Sequence, residues 1–475
     1  MHRLLVVIVL AAACGDDSSG VEGEPVDAAP VVTCGPPSDA DVAVQLAALP
    51  GVTVVEAPAA HAPGYRYFRL QWTQPVDHAH PDGATFTQQV SLLHRHLARP
   101  TIAFTTGYED YQRDYLSEPA ALVDGNQASI EHRFFGASRP AGAAWDFLTV
   151  AQQAADQHAI IAGLRCVYRG PWVSSGGSKG GMTAIYHRRF YPDDVAGTLA
   201  YVAPLSFAIP DHRYDAFLDG VMPAACRDAV RAVATELLAN RRAAMTARAQ
   251  AEVDAGGSPY TRIALGPAVE SAILDLEWAF WQYEGVDACG AVPPPTASDA
   301  ALWSFLDRVS PVSFSADADT EAYEAYFFQA YRELGSPGTA RVRGDSLPPH
   351  LAALTQYAEA DYVGTLPVGV PVPTHDPAVM ADVDAWLQAE GAHVAFLYGQ
   401  YDPWSGGKFR LGRATDALSV ETPQGTHVDG IDALAPVDRG AVLTKLSAWI
   451  GEPLSARWAA RRVEVVAPPA RRRPL

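Results

Sequence analysis

A glycine-rich turn between an apolar segment and a helical segment constrains the fold of this chain most strongly. Residues 172–182 have the sequence WVSSGGSKGGM, which predicts a strand, a G-x-S-x-G turn and a helix that begins near Met182. A serine at such a turn requires neighbours without β-carbons, because the backbone there is strained and closely packed. Its hydroxyl then projects above the sheet. The motif therefore predicts Ser178 as a nucleophile; for the motif alone, a glycine-rich turn without chemistry is the alternative.

The pattern around this turn indicates a mainly parallel α/β sheet. Short apolar, β-prone runs are separated by helical stretches such as Phe147–Leu164. Strands that alternate with helices are typical of parallel sheets. The predicted strands of the first half are Tyr65–Trp72, Thr85–Leu93, Thr101–Thr106, Ala128–Phe135, Trp172–Ser175 and Thr198–Ala203.

A mainly helical stretch, residues 206–385, is predicted to be a cap inserted into the α/β domain. In Thr320–Leu334, apolar residues recur at helical spacing on one stripe, with glutamates and arginines elsewhere. The α/β pattern returns with strands at His393–Tyr398 and Leu418–Glu421 and a helix at Arg439–Ile450. The predicted units are a signal peptide (1–13), a flexible tether (14–45), the two parts of the α/β domain (46–205 and 386–460), the cap between them and a C-terminal tail (461–475).

Two residues that follow the late strands are candidates for a base and for the acid that orients it. A serine hydroxyl is a weak nucleophile near neutral pH and needs both partners. Asp402 follows the first late strand, and His427 lies on the loop after the second. Singly, Asp402 could belong to an ordinary turn and His427 could cap a helix. Together with Ser178, their order is that of the α/β-hydrolase fold, so the sequence predicts this fold with a large helical cap before the last strands.

Two loops are predicted to stabilise a negative oxygen in the transition state. The amide of Lys179, at the start of the helix after Ser178, is one expected donor. The second is expected from Gly107 or Tyr108, which follow the strand Thr101–Thr106. The neighbouring Glu109 and Asp110 are expected to be solvated loop charges.

The N-terminus indicates export. Arg3 precedes an apolar run of ten residues, Leu4–Ala13, which is too short to span a bilayer. Small residues then precede Cys14, as in bacterial lipoprotein signals, although Ala11 stands where leucine is more usual. The sequence therefore predicts lipidation of Cys14, with ordinary secretion as the alternative.

The other four cysteines, Cys34, Cys166, Cys226 and Cys289, are an even number in a chain predicted to be exported. Three pairings are possible. We favour Cys226 with Cys289, because both lie in one helical region, which leaves Cys34 for Cys166. Buried free thiols are the alternative.

Charge and composition exclude other classes of function. The net charge of −19 disfavours nucleic acids and anionic membrane surfaces as partners. No Cys/His pattern at metal-ligand spacing occurs in the sequence, so we expect neither a structural zinc ion nor a cofactor.

Several motifs resemble a known family. The sequence GGSKGGMTA at 176–184 with RRFYP at 188–192, YGQYDPW at 398–404 and EHRFFG at 131–136 are similar to peptidase family S37, the secreted prolyl/tripeptidyl aminopeptidases. Lysosomal Pro-Xaa carboxypeptidases are more distantly similar. The resemblance spans roughly residues 65–455 and implies release of short peptides, in particular tripeptides, from a free N-terminus.

The resemblance also implies candidate substrate-binding residues. An exopeptidase of this kind must recognise a terminal ammonium, and a fixed carboxylate is the simplest receptor. Glu131 is the first candidate, with an ion pair to Arg133 or Arg139 as the alternative. Glu333 is the second, with a solvated helix face as the alternative. Gln329, on the same cap segment, and Trp404 are further candidates for substrate contact.

Two other functions remain open at this stage. An esterase or lipase would use the same triad, because the cap sets the substrate. A non-catalytic surface lipoprotein could keep the fold as a binding module. Parallel peptide and ester assays separate an esterase or lipase from an aminopeptidase. Failure of a fluorophosphonate probe to label Ser178 would support the non-catalytic lipoprotein.

Overall fold

The computed structural model describes residues 33–142, 145–337 and 349–454. The predicted signal peptide, the lipidation site Cys14 and the tail from residue 461 lie outside these ranges.

Within the described residues, nine strands form one sheet. Their order across it is β1-β2-β3-β5-β4-β6-β7-β8-β9. The pairs from β1 to β5 are antiparallel, and all pairs from β5 to β9 are parallel. The strands are β1 (Val52–Ala57), β2 (Arg66–Pro75), β3 (Thr85–His94), β4 (Thr101–Thr105), β5 (Asn126–Ile130), β6 (Trp172–Gly177), β7 (Gly197–Tyr201), β8 (Val394–Gly399) and β9 (Leu418–Thr422).

Helices cover this sheet and form a separate layer beside it. The α-helices are α1 (Val42–Ala47), α2 (Glu118–Leu122), α3 (Val150–Leu164), α4 (Lys179–Phe190), α5 (Arg213–Val221), α6 (Ala224–Glu236), α7 (Arg242–Asp254), α8 (Leu265–Leu274), α9 (Leu276–Ala279), α10 (Asp299–Val309), α11 (Asp317–Gln329), α12 (Pro349–Ala352), α13 (Pro377–Glu390) and α14 (Pro436–Ile450). Three π-helical turns, Leu237–Arg241, Phe280–Glu284 and Ala330–Leu334, directly follow α6, α9 and α11.

The helices α5 to α12 lie between β7 and β8 in the chain and form a cap with its own core. Val230, Ile273 and Phe280 belong to this core and are fully buried. The sheet packs in other clusters, one of which joins Phe396 of β8 to Val383 of α13. The α/β-hydrolase architecture with a helical insertion before the last strands is therefore confirmed. Helix α13 packs on the sheet, and the boundary predicted at residue 385 falls within it.

Three local predictions differ from the structure. Strand β1 was not predicted. The strand expected at Ala128–Phe135 ends at Ile130, because the chain then leaves the sheet and the His132 amide donates to the Tyr108 carbonyl oxygen at 3.0 Å. The helix expected at Thr320–Leu334 begins at Asp317 and ends in a π-helical turn, and its Glu324 is buried rather than solvated: it is 7% exposed and forms ion pairs with two arginines of other segments.

The N-terminal segment is attached to the body well before residue 45. A disulfide joins Cys34 to Cys166, just after α3, and Leu46 of α1 is fully buried against β2 and β3. A second disulfide joins Cys226 of α6 to Cys289. The structure therefore contains both bridges favoured from the sequence, and the last part of the predicted tether is held in place. In residues 33–142, 145–337 and 349–454, no helix has the length and apolar character that a membrane span requires.

Candidate active site

Ser178 lies at the sharp turn between β6 and α4. Its backbone has φ 54° and ψ −127°, a conformation that few non-glycine residues adopt. A β-carbon on Gly180 would lie 2.3 Å from the Thr105 carbonyl oxygen, and one on Gly176 would lie 2.5 Å from Gly180. The turn therefore fits against β4 only because these positions are glycine. The Ser178 residue itself is half-buried.

Asp402 and His427 are brought together at the carboxyl ends of β8 and β9. The His427 Nδ1 atom lies 2.7 Å from Asp402 Oδ2, and the two side chains are almost fully buried. The other Asp402 oxygen accepts the Trp404 amide hydrogen at 3.1 Å, which fixes the carboxylate. This geometry holds the imidazole with Nδ1 toward the acid and leaves Nε2 for a proton transfer.

Aromatic residues lie beside the Ser178 turn and beside the His427 loop. Tyr108 contacts Tyr326 and Phe135, and burial raises the pKa of Tyr108 well above its ordinary value. The Tyr283 ring meets the His427 ring edge to face, with 6.3 Å between centroids. In the described part of the chain, His427 Nε2 is buried without a hydrogen-bond partner.

The expected oxyanion donors also lie beside Ser178. Gly107 has φ +73°, and a β-carbon there would lie 2.3 Å from the Gly180 amide nitrogen at the start of α4. The first amides of a helix have no partner within the helix and carry its positive dipole end. The loop that carries Gly107 and Tyr108 therefore meets the helix start that carries the Lys179 amide.

The Lys179 side chain was not singled out from the sequence, where only its amide was considered. The side chain is 2% exposed, and its Nζ donates to the Gly107 carbonyl oxygen at 2.9 Å. The Nζ also lies over the rings of Phe135 (5.1 Å) and Tyr108 (5.7 Å). Burial lowers the pKa of Lys179 well below its ordinary value. A lysine that directly follows the nucleophile was the available signal for this contact.

The expectation for Asp110 was wrong, and the alternative for Glu131 was wrong as well. Asp110 is 7% exposed rather than solvated. Glu131 is buried and pairs with neither Arg133 nor Arg139, which pair with other carboxylates. Its Oε2 accepts the Asp110 amide at 2.8 Å, and its Oε1 accepts both the amide and the hydroxyl of Ser138. Glu131 therefore fixes the loop behind Gly107 and Tyr108.

Glu333 is buried, so the alternative of a solvated helix face was wrong. Its Oε2 accepts the Val150 amide hydrogen at the start of α3, at 2.7 Å. Burial raises the pKa of Glu333 to about 7. Gln329, one turn earlier, is 1% exposed, and its Oε1 has no partner in the described part of the chain. Upstream in the same helix, the Tyr326 ring lies 6.0 Å from the Tyr108 ring, measured between centroids. This helix therefore packs on the loop that carries Tyr108.

Trp404 lies in an aromatic cluster between the cap and the His427 loop. Its ring is 5.0 Å from that of Trp278 and 5.8 Å from that of Tyr214, and both come from the cap side. The His427 ring lies at 6.4 Å. Trp404 therefore forms part of an apolar wall next to the imidazole. No group of three or more potential ligands is arranged for a metal ion in residues 33–142, 145–337 and 349–454.

The sequence is similar to a known peptidase family over most of its length. A family model described as PS-10 peptidase S37 matches residues 35–467. A prolyl tri/tetrapeptidyl aminopeptidase of Streptomyces mobaraensis is 36% identical over 457 residues, which cover 95% of this chain and 92% of that protein.

Two other proteins match a smaller part of this chain or have a lower sequence identity. A lysosomal Pro-X carboxypeptidase of Mus musculus is 32% identical over 160 residues, which cover 30% of this chain and 33% of that protein. The solved structure of a proline iminopeptidase of Mycobacterium smegmatis is 14% identical with a TM-score of 0.35, covering 84% of this chain and 99% of that one.

Proposed function

This chain belongs to the PS-10 peptidase S37 family, and from that premise we propose that it releases short peptides, in particular tripeptides, from free N-termini. It is a serine exopeptidase, and we assign Ser178, His427 and Asp402 as its triad. The observation that carries this assignment is the buried Asp402–His427 pair, at 2.7 Å, at the same sheet edge as the strained Ser178 turn. Aminopeptidase activity is proposed by similarity to the Streptomyces mobaraensis relative.

The proposed mechanism uses an acyl-enzyme. The Ser178 hydroxyl oxygen attacks the scissile carbonyl carbon while His427 Nε2 takes the hydroxyl proton. The carbonyl oxygen becomes negative and is stabilised by amides of Lys179 and of Gly107 or Tyr108. His427 then gives the proton to the leaving amine, the C–N bond breaks, and water hydrolyses the ester. Asp402 keeps Nδ1 protonated and stabilises the imidazolium that forms.

Recognition of the free N-terminus needs a carboxylate in the cleft. Both oxygens of Glu131 already accept hydrogen bonds from Asp110 and Ser138, so this side chain is committed to the loop. Glu333 comes from the cap segment that also carries Gln329 and Tyr326, and it is our preferred receptor for the substrate ammonium. Trp404 is proposed to contact the substrate next to the scissile bond.

The test of the substrate class is a peptide panel whose products are identified by mass spectrometry. Each peptide is supplied with a free and with an acetylated N-terminus. We expect tripeptides from the free peptides and no release from the acetylated ones. Equal cleavage of both forms, or internal cleavage, would contradict the proposal. A short acyl ester assayed in parallel tests the esterase alternative, which gains support only if the ester is turned over and peptides are not.

The receptor is tested with Glu333→Gln. We expect a higher KM for free peptides and an unchanged rate for a short acyl ester that has no amine. The matched control is Glu390→Gln, an exposed glutamate at the end of α13. An unchanged KM for free peptides would exclude Glu333 as the receptor.

We propose an exported location with attachment to a membrane through a lipid on Cys14. The two disulfides support the first part, because such bridges persist in oxidising compartments. Metabolic labelling with a radioactive fatty acid, with Cys14→Ser as the control, tests the second. Label in the parent chain that is lost in the variant is expected, and the absence of label would favour a secreted protein.

A further inference from the structure

We propose that Lys179 acts through its side chain as a positioning residue, which directs the Tyr108 amide toward the oxyanion. The inference rests on the proposed function, because it requires that Ser178 forms a tetrahedral intermediate. It goes further by assigning a role to a buried amine and by choosing the Tyr108 amide over the Gly107 amide as the second donor.

The first step is the geometry of one peptide bond. The Gly107 carbonyl oxygen and the Tyr108 N–H belong to the same planar unit, and in a trans unit they point in opposite directions. The unit is trans, since the one cis bond of the described residues lies between Ile209 and Pro210. Lys179 Nζ holds the carbonyl oxygen at 2.9 Å. Holding that oxygen fixes the direction of the Tyr108 N–H.

The second step is that this peptide needs to be held. Gly107 adopts φ +73° and has no β-carbon, so rotation of the following peptide meets little steric resistance. The next peptide is fixed from another side, since the Tyr108 carbonyl oxygen accepts from Thr106 Oγ1 at 2.6 Å and from the His132 amide at 3.0 Å. With Lys179 on the Gly107 oxygen, both peptides that flank the Tyr108 α-carbon are fixed.

The third step concerns the free-energy cost of burying the Lys179 amine away from water. Lys179 is 2% exposed, and no carboxylate forms an ion pair with it in the described part of the chain. Its neighbours are the Phe135 and Tyr108 rings and the buried His132, whose pKa is lowered by burial and then by Lys179. An apolar side chain of the same length would avoid this desolvation, so the amine is better explained by what it binds.

The variants Lys179→Met and Lys179→Gln test the inference. Methionine keeps the volume without a donor, and glutamine keeps a donor for the Gly107 oxygen. We expect Lys179→Met to lower kcat by about 10²–10³-fold with little change in KM, as for the loss of one oxyanion donor. Lys179→Gln should recover part of the rate. Tyr186→Phe, a buried change on the same helix, serves as the control and should leave kcat unchanged.

Inhibitor binding separates positioning from a merely structural role. A tripeptidyl trifluoromethyl ketone adds to Ser178, and its ketone oxygen becomes an oxyanion as the hydroxyl proton passes to His427. In Lys179→Met its affinity should fall by the same factor as kcat/KM, while the affinity of the product tripeptide stays constant. Equal losses for inhibitor and product, or a kcat within about threefold of the parent, would overturn the inference.

The same experiment separates failure of the inference from failure of the proposed function. If the parent chain reacts with a fluorophosphonate and Ser178→Ala does not, the nucleophile is established independently of Lys179. An unchanged rate in Lys179→Met would then overturn the positioning role alone. If Ser178→Ala keeps its activity and its label, the proposed function fails and the inference fails with it.

Discussion

At the scale of single residues, each chemically active group is held by a contact from a different segment. Asp402 holds Nδ1 of His427, and the Gln282 carbonyl oxygen accepts the His427 amide at 2.9 Å. Lys179 holds the Gly107 carbonyl oxygen, and Glu131 holds the Asp110 amide. Buried carboxylates and a buried amine therefore hold the loops that carry the proposed triad and oxyanion donors.

The buried carboxyl group of Glu333 should make the free energy of unfolding depend on pH. Burial raises its pKa from the ordinary 4.5 to about 7, so protonation favours the folded state. This contribution is complete below pH 4.5 and is lost as the pH rises through 7. Glu333→Gln should flatten the fall in the free energy of unfolding between pH 5 and pH 8 by about 1–3 kcal/mol. Urea denaturation at pH 5 and at pH 8 measures the free energy of unfolding. The control Glu390→Gln should keep the pH dependence of the parent chain.

The sequence predicted some of these residues and missed others for a physical reason. Ser178, Asp402 and His427 follow strands directly, so local pattern and chain order are sufficient to propose them. Asp110 and Glu333 look like surface charges in sequence, because their burial depends on contacts with other segments. The Glu131 carboxylate accepts the Asp110 amide, and the Val150 amide donates to Glu333. Contacts of that kind are not encoded in local periodicity.

At the scale of elements, the π-helical turn Phe280–Glu284 connects the cap to the catalytic loop. Its Gln282 carbonyl oxygen accepts the His427 amide, and Gly285, which ends the turn, has φ 68° and ψ −168°. A β-carbon on Gly285 would lie 2.7 Å from Thr426 Cγ2. The helical pattern of this region was predicted, but the π turn was not, since such turns are rare and occur mostly singly within α-helices.

Gly285→Ala should therefore disturb catalysis as well as stability. The backbone conformation is accessible almost only to glycine, so we expect a loss of about 1–3 kcal/mol in the free energy of unfolding. Displacement of the His427 loop should lower kcat by as much as about 10²-fold. Gly290→Ala is the matched control, because a β-carbon there meets nothing within 4 Å. Equal kinetics in the two variants would contradict the coupling of this turn to the site.

At the scale of the whole molecule, a nine-stranded sheet within the described residues carries the residues of the proposed triad, and the cap has a core of its own. Alternation of strands and helices predicted the sheet, and the change to helical pattern after residue 206 predicted the cap. The antiparallel edge formed by β1, β2 and β3 could not be assigned as such, because short apolar runs do not reveal their pairing direction.

The disulfide between Cys226 and Cys289 should stabilise the cap in particular. It closes a segment with a sequence separation of 63 residues. In the chain-entropy model, its removal by Cys226→Ser/Cys289→Ser should cost about 4 kcal/mol, and the cap should unfold before the sheet. Hydrogen exchange on α6 and on β6 measures this directly. Unchanged protection of α6 in the variant would show that the cap core alone is sufficient.

Ser178, His427 and Asp402 are proposed to act as one unit, and a mutant cycle on turnover tests this directly. Ser178→Ala should lower kcat on a tripeptidyl amide by a factor on the order of 10⁶, and Asp402→Ala by a factor on the order of 10⁴. We expect the double variant to be no slower than Ser178→Ala alone. A Ser178→Ala enzyme that keeps the parent rate, or an Asp402→Ala enzyme that does so, would contradict it.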